Sequence, residues 1–229
     1  MKKGLLTGNA LKIIAMLSML FDHAAIILFG NFEPFRIIGR LAFPIYAYLI
    51  AEGCRHTSGK FLYFLRVFAL GALCQIVFYF VDKSLYLNIL LTFSVSIPMV
   101  YFLNYAKKNA LFTLLFLAVL AALWVFVQRL SVYGITFDYG FFGIMLPVLL
   151  SVTDNRREKA LLAFFGLFII AQSYGGNQMW SLLAVPLLLL YNGKRGKLDL
   201  KTFFYVFYPL HLAILWGLQY LVRLNIINF

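Results

Sequence analysis

Long hydrophobic runs separated by short polar segments dominate the pattern along the chain. Nine apolar segments can be marked, at roughly 10–30, 36–54, 61–81, 86–106, 110–128, 139–153, 159–174, 177–192 and 202–224. Several approach the ~20 apolar residues that a transmembrane helix needs. The sixth, seventh and eighth are shorter, and we expect them to be tilted, re-entrant or shielded from lipid by neighbouring helices. The pattern predicts an all-α, polytopic transmembrane helical bundle of about nine membrane segments.

The composition supports a membrane protein and argues against a soluble one. The chain is 63% hydrophobic and 12% charged, whereas a soluble domain is closer to half apolar and a quarter charged. Its net charge of +12 therefore indicates basic loops on one side of a bilayer, and we expect no nucleic-acid partner. Short loops and the absence of a linker predict a single domain over 1–229. Cys54 and Cys74 have no metal-ligand spacing and no disulfide framework is legible, so we expect no metal.

The basic residues are distributed unevenly between the two sets of loops. Thirteen lysines and arginines, beginning with Lys2 and Lys3, lie in loops on the amino-terminal side, against four on the opposite side. Loops rich in Lys and Arg stay in the cytoplasm. The first apolar run is too long for a signal peptide and lacks a small-residue cleavage site, which indicates a retained helix. We therefore predict a multi-pass protein of the cytoplasmic (inner) membrane, with its amino terminus in the cytoplasm and its carboxyl terminus outside.

Two ionisable residues of the first segment share one face of the predicted helix. Lys12 and His23 are eleven residues apart, which leaves an offset of only about 20° and a rise of about 16 Å. Ionisable groups at membrane depth are costly and normally face a protein interior, where they mark function. A neutral His23 could take a proton from an attacking hydroxyl or amine, with Asp22 setting its tautomer. The alternative is that His23 only forms a hydrogen bond to a neighbouring helix.

Four other candidates are expected at a broadly similar depth. Arg36 and Arg40 open the second segment, Asp138 begins the sixth, and His211 lies in the last. Because buried charges in lipid must pair, we predict that all four join Asp22 and His23 in one catalytic cluster.

In that cluster Arg40 or a helix end would stabilise an oxyanion, and His211 could relay a proton. The structural alternatives stay open: Arg36 could extend to the outer interface, and Asp138 could be only a charge at a helix start. His211 follows Pro209 and could be a structural histidine near a kink.

Basic residues on the cytoplasmic half would suit an anionic, phosphate-bearing donor. They are Lys12, Arg55, Lys60 and Arg66, since lysine and arginine both bind phosphates. Glu52 and His56 are four residues apart and form either a structural pair or part of a cytoplasmic substrate entrance. The chain has no Gly-rich phosphate loop, HExxH or GxSxG motif, so nucleotide hydrolysis and the standard protease and lipase chemistries have no support.

Five segments occur in order between about residues 8 and 215 and resemble one known family. They are LKIIAMLSMLFDH, FRIIGRLAFPIYAYLIAEGCRHT, DYGFFGIMLPVLL, LLLLYNGKRGK and FFYVFYPLHLAIL. Together they resemble the TraX family, conjugal-transfer membrane proteins named for acetylation of the pilin amino terminus. The Lys12-x10-His23 spacing is also similar to the Arg/Lys-x10-His pattern of the acyltransferase-three superfamily, in which the histidine is held to be catalytic and acyl-CoA the donor.

The resemblance implies a membrane-bound acetyltransferase with His23 as the catalytic residue and acetyl-CoA as the acyl donor. The acceptor would be an amine or hydroxyl at the outer side of the membrane, such as a pilin-like peptide amino terminus or a glycan. Its other partners would be membrane lipids. The rival functions are a transporter or proton-coupled permease with a buried His/Asp/Arg site, and a non-enzymatic assembly factor in which His23 is dispensable. The candidates for binding the CoA phosphates are then Lys12, Arg36, Arg55, Lys60 and Arg66.

Overall fold

The computed structural model describes residues 4–197, 200–224 and 226, apart from the side chains of Asp82 and Lys201. Lys2 and Lys3 lie outside the described residues. Most of the described chain is helical, which confirms the predicted all-α class. The α-helices are α1 (Gly8–Ile27), α2 (Glu33–Gly39), α3 (Ala42–His56), α4 (Lys60–Asp82), α5 (Ile89–Ala106), α6 (Ala110–Val132), α7 (Gly140–Leu150), α8 (Arg156–Tyr174), α9 (Ala184–Leu189) and α10 (Lys201–Arg223), with a 3-10 helix over Gly176–Leu183.

Within the described residues, six helical stretches are long and apolar enough to cross a membrane, which confirms the predicted membrane-spanning bundle. They are Gly8–Ile27, Glu33–His56, Lys60–Val81, Ile89–Ala106, Ala110–Val132 and Thr202–Arg223. The predicted segment at 139–153 forms only the 11 residues of α7, about 16 Å of helix against a hydrocarbon core of about 30 Å. The segment at 177–192 forms a 3-10 helix and the short α9. The count of nine spans therefore stays a prediction.

The chain forms two compact units. The first unit is made of Met1–Tyr46 and Gly175–Phe229, and the second unit is Ala47–Tyr174. The division falls within α3. The predicted assignment of 1–229 to a single domain stays a prediction.

In the first unit, a basic loop covers the start of α1. Leu6 and Tyr191 form a parallel β-bridge, and the backbone N–H groups of Gly8 and Asn9 each donate to a carbonyl oxygen of this loop at 2.8 Å. The acceptors belong to Lys194 and Arg195. Backbone N–H groups at a helix start have no partner inside the helix and need one from outside. The loop therefore fixes the amino-terminal end of α1 beside a strongly basic segment.

The first and last long helices of the first unit, α1 and α10, run parallel to one another. Three contacts join them in the same order along both helices: Lys12 to Phe204, His23 to His211, and Ile27 to Gln219. The predicted common face of Lys12 and His23 is confirmed, because both side chains contact α10. The start of α1 and the end of α10 therefore lie at opposite ends of this helix pair.

In the second unit, the helices run back and forth between two ends. At one end, the Lys107 ammonium group donates to the carbonyl oxygens of Ser151 and Val152, at 2.8 and 2.9 Å. This contact joins the loops that follow α5 and α7. At the other end, β1 (Tyr86–Leu87) pairs in parallel with β2 (Thr136–Phe137) and joins the loops that precede the same two helices. The second unit is therefore an up-and-down bundle with one basic end.

Candidate functional site

The packing of α1 against α10 brings the two membrane histidines into contact. Nδ1 of His23 lies 2.7 Å from Nε2 of His211, and the rings are within 13° of parallel. The other ring nitrogen of His211, Nδ1, lies 2.8 Å from the carbonyl oxygen of Phe207. His211 is buried, with only 3% of its surface exposed. The Phe207 carbonyl, the His211 ring and the His23 ring thus form a continuous hydrogen-bonded chain.

The direction of these hydrogen bonds fixes the tautomer of each neutral ring. A carbonyl oxygen only accepts, so Nδ1 of His211 carries its proton and Nε2 of His211 accepts. Nδ1 of His23 therefore donates to His211, and the lone pair of His23 lies on Nε2. No described residue forms a hydrogen bond with this nitrogen. A histidine with one nitrogen held by a partner and the other open is arranged to accept a proton from a substrate.

Beside the histidine pair, the Asp22 carboxylate binds two arginines of the adjacent segment. Its Oδ2 lies 2.9 Å from Nη1 of Arg36, and its Oδ1 lies 2.6 Å from Nη2 of Arg40. All three side chains are largely buried, with 12 to 24% of their surface exposed. Two arginines against one carboxylate leave one positive charge in excess. The cluster is therefore suited to stabilise a negative charge that develops nearby.

Gly39 allows α2 to approach α1 this closely. A Cβ atom at this position would collide with the Cβ and carboxylate atoms of Asp22. The absence of a side chain at Gly39, between the two arginines in the RIIGR segment, thus lets both guanidinium groups reach one carboxylate. The structure thus brings together three members of the predicted cluster, Asp22, Arg36 and Arg40.

The predicted role of Asp22 in setting the His23 tautomer is wrong. Both carboxylate oxygens of Asp22 bind arginine, and Nδ1 of His23 contacts His211 instead. Consecutive helical residues point about 100° apart, so Asp22 faces α2 while His23 faces α10. The residue that orients His23 is His211, for which the sequence predicted the role of a proton relay.

Gln178 is a member of this site that the sequence did not reveal. Its Oε1 accepts a hydrogen bond from Nη1 of Arg40 at 3.0 Å, and only 3% of its surface is exposed. Within the described part of the chain, the Gln178 Nε2 and the Ser181 Oγ are buried without a hydrogen-bond partner. The one available signal was a polar GGNQ stretch next to an apolar segment. The Gln178 amide N–H, on a side chain that contacts Arg40, could donate to a carbonyl oxygen of a substrate.

Asp138, predicted as part of the cluster, lies in the second unit. Its Oδ1 accepts a hydrogen bond from the Tyr86 hydroxyl at 2.6 Å, and its backbone carbonyl accepts one from Thr92 at 3.1 Å. Burial, and then the Asp138 carboxylate, raise the pKa of Tyr86 above its usual value. Asp138 thus links the loops around β1 and β2, and its membership of the catalytic cluster stays a prediction.

The pair predicted for Glu52 and His56 forms, but a stronger partner binds the same carboxylate. Nε2 of His56 lies 3.5 Å from Glu52 Oε2, whereas Glu52 Oε1 forms a short ion pair with Lys159. Lys159 and Glu52 are both buried, with 3% and 6% of their surfaces exposed. Lys159 is one of the thirteen basic loop residues that the sequence assigned to the amino-terminal side, and its pairing with Glu52 was not predicted.

The basic residues predicted to bind a phosphate-bearing donor lie in different parts of the structure. Arg55 and Lys60 line one cavity of the second unit, and Arg66 is exposed on α4. Lys12 belongs to the first unit, where its ammonium group lies 5.3 Å from the centre of the Phe204 ring. Arg36 binds Asp22. Among the described residues, no group of three or more His, Cys, Asp or Glu side chains is arranged to bind a metal.

Comparison with known proteins places this site in a family. The family described as TraX protein matches residues 7–219. The chain is 28% identical over 242 residues to a protein of Dichelobacter nodosus named "Probable fimbrial assembly protein FimC, serogroup H1", and the match covers 90% of this chain and 92% of the relative. No solved structure matches. Because the family match covers nearly the whole chain, including His23, both cluster arginines and His211, the protein belongs to the TraX family.

Proposed function

We propose that this protein is an integral-membrane acetyltransferase that moves an acetyl group from acetyl-CoA to an amine or hydroxyl acceptor. The observation that carries the proposal is the open Nε2 of His23, with Nδ1 bound by His211 and His211 anchored to the Phe207 carbonyl. A general base needs this arrangement, because the proton must arrive on a nitrogen that has no other partner. The excess positive charge of the arginine pair supplies the second requirement of acyl transfer, stabilisation of an oxyanion.

In the proposed reaction, Nε2 of His23 takes the proton of the acceptor as its oxygen or nitrogen attacks the thioester carbonyl carbon. The new bond to carbon forms as the carbonyl π-bond opens, and the negative charge on its oxygen is balanced by Arg40. When the carbonyl re-forms, the carbon–sulfur bond breaks, and His23 returns its proton to the leaving thiolate. His211 stabilises the transient imidazolium of His23 by accepting from its Nδ1–H group.

The family and the named relative suggest the class of acceptor. The relative is named as a probable fimbrial assembly protein, and the resemblance described above implies acetylation of a pilin amino terminus. We propose a pilin-like peptide amine as the first acceptor to test, with a glycan hydroxyl as the second. A transporter built on the same buried His, Asp and Arg groups would bind such ligands without changing them.

The test uses the purified protein in lipid vesicles with isotope-labelled acetyl-CoA and a peptide whose sequence follows the start of a host pilin. Mass spectrometry of the peptide measures transfer, and the same peptide with a blocked amino terminus is the control. Label on the free peptide alone supports the proposal. Uptake of intact peptide or label into the vesicles, with no acetylated product, would support the transporter instead.

Replacement of His211 should impair transfer without abolishing it. His211→Phe removes the acceptor for Nδ1–H of His23, so the ring is no longer held in the productive tautomer and orientation. Loss of such an orienting partner costs on the order of ten- to a hundredfold in activity. His211→Gln keeps a carbonyl acceptor in the side chain and should recover part of the loss. Equal turnover by His211→Phe and the wild type, at matched expression, would mean that His211 only packs.

We also propose that the amino terminus lies in the cytoplasm and the carboxyl terminus outside. The parallel directions of α1 and α10 and the basic loop at the start of α1 support this orientation. A reporter that is active only in the cytoplasm should be silent when fused after Phe229 and bright when fused after Lys108. A bright signal at both positions would contradict the orientation.

A further inference from the structure

A cavity of about 260 Å³ lies at the basic end of the second unit. Its wall is formed by the last turns of α3 and α5, the starts of α4 and α8, and the loop that follows α7. Four cationic side chains line it: Arg55, Lys60, Lys107 and Lys159. The one carboxylate in its lining belongs to Asp154.

Two of the four cations are neutralised by carboxylates, and two are not. Lys159 pairs with Glu52, and Nε of Arg55 lies 3.2 Å from Asp154. Lys60 and Lys107 form no ion pair with a carboxylate among the described residues. The cavity therefore carries an excess of two positive charges that the described residues do not balance.

Both remaining lysines are held in place by uncharged groups. The Lys60 ammonium lies 5.2 Å from the Tyr101 ring centre and 5.9 Å from that of Tyr105, a cation–π arrangement. The Lys107 ammonium donates to two backbone carbonyls. Partial burial lowers the pKa of Lys107; the Asp154 carboxylate opposes this shift and the Lys159 charge adds to it. An anion placed between these lysines would gain attraction from side chains that are already ordered.

The start of α4 also favours an anion in this cavity. Lys60 is its first residue, and the preceding residue, Gly59, has no side chain to cap the helix start. Backbone N–H groups at a helix start favour an anion. Hydroxyl and amide groups of Thr57 and Asn104 also line the cavity. A phosphate group carries several acceptor oxygens and up to two negative charges, and compact lysine ammonium groups bind it as point charges.

We infer that this cavity binds the phosphate groups of the acyl donor through Lys60 and Lys107. This inference rests on the proposed acetyltransferase function and makes it more specific. The sequence counted Lys107 only among the loop charges, and this inference makes it a binding residue. Arg55 was also predicted to bind the donor, but it is already paired with Asp154. Arg66 is not among the residues that line the cavity.

The test measures binding of three probes to the purified full chain in detergent: coenzyme A, inorganic pyrophosphate, and pantetheine, which lacks phosphate. The variant is Lys60→Met. Among the described residues, the Lys60 ammonium group contacts only aromatic rings, whereas Lys107 also supports the loop after α7. The matched control is Lys83→Met. Lys83 lies in the same unit, and its ammonium group also lies over two aromatic rings, Tyr79 and Phe80, at 5.5 and 5.4 Å.

We expect Lys60→Met to weaken coenzyme A and pyrophosphate by about tenfold or more, the value of one charge-assisted contact. Lys83→Met should leave both affinities unchanged, and pantetheine should not distinguish the variants. Wild-type binding of both phosphate probes should weaken as salt is raised. Equal affinity of Lys60→Met and the wild type for coenzyme A would overturn the inference, although acetyl transfer could still stand.

The competing anion is the headgroup of an acidic lipid, and a second experiment separates it from the donor. Vesicles of zwitterionic lipid, with and without an anionic phospholipid, are added to protein that has bound labelled pyrophosphate. Displacement by coenzyme A alone supports the inference. Displacement by the anionic vesicles, with no effect of coenzyme A, would overturn the assignment of the cavity to the donor.

Discussion

His23→Ala should abolish acetyl transfer while the protein still inserts and folds. The substitution removes the open Nε2, and loss of a general base lowers the rate by on the order of 10²- to 10⁴-fold. The effect should appear in turnover at saturating donor, because the proposed phosphate contacts lie on other residues. The measurement is the initial rate of label transfer in vesicles at matched protein amount.

The control is His56→Ala, which replaces another histidine, in the second unit, whose side chain is 60% exposed. It should retain wild-type turnover. Folding of both variants is checked by monodispersity and thermal unfolding in detergent. Full activity of well-folded His23→Ala would refute the mechanism and leave His23 as a structural residue.

Glu52→Leu should strongly destabilise the second unit. Lys159 is buried against Glu52, so removing the carboxylate leaves an ammonium charge in the interior without its ion-pair partner. Breaking a buried pair by removing one partner costs about 3–5 kcal/mol. We expect a lower midpoint of thermal unfolding in detergent and reduced membrane expression.

The double variant Glu52→Leu with Lys159→Met separates the charge effect from the loss of packing. An apolar pair of similar volume is often as stable as a buried ion pair, so the double variant should recover most of the loss. Glu33→Gln, at an exposed acidic residue of the first turn of α2, is the control and should leave stability unchanged. A double variant less stable than the single one would show that the ion pair itself is required.

The sequence was sufficient for features that depend on local pattern and on the cost of burying charge. Apolar runs predicted the long helices, and the helical period placed Lys12 and His23 on one face. The rule that charges in lipid must pair predicted a cluster that includes Asp22, Arg36 and Arg40, and these three lie in contact. Each of these inferences needs only helix geometry and the properties of the bilayer.

The sequence was not sufficient where the rotation and neighbours of a helix decide the outcome. His211 was expected in the cluster, but which atom of His23 it contacts depends on how α1 and α10 pack. Glu52 and Lys159 are more than a hundred residues apart, and no spacing rule connects them. Gln178 reaches the site because it lies in a 3-10 helix. The hydropathy pattern showed that stretch only as part of an apolar segment. Contacts of this kind arise from tertiary packing, and the hydropathy period of a single sequence does not predict them.

The parallel contact of α1 with α10 has a consequence for biosynthesis. His23 enters the membrane among the first residues made, and its partner emerges from the ribosome 188 residues later. During that interval the hydrogen-bond donor at Nδ1 of His23 has to be met by a temporary neighbour, such as water, lipid or an insertion factor. The histidine pair is therefore assembled only after translation reaches α10, and a nascent chain stalled in the second unit lacks it.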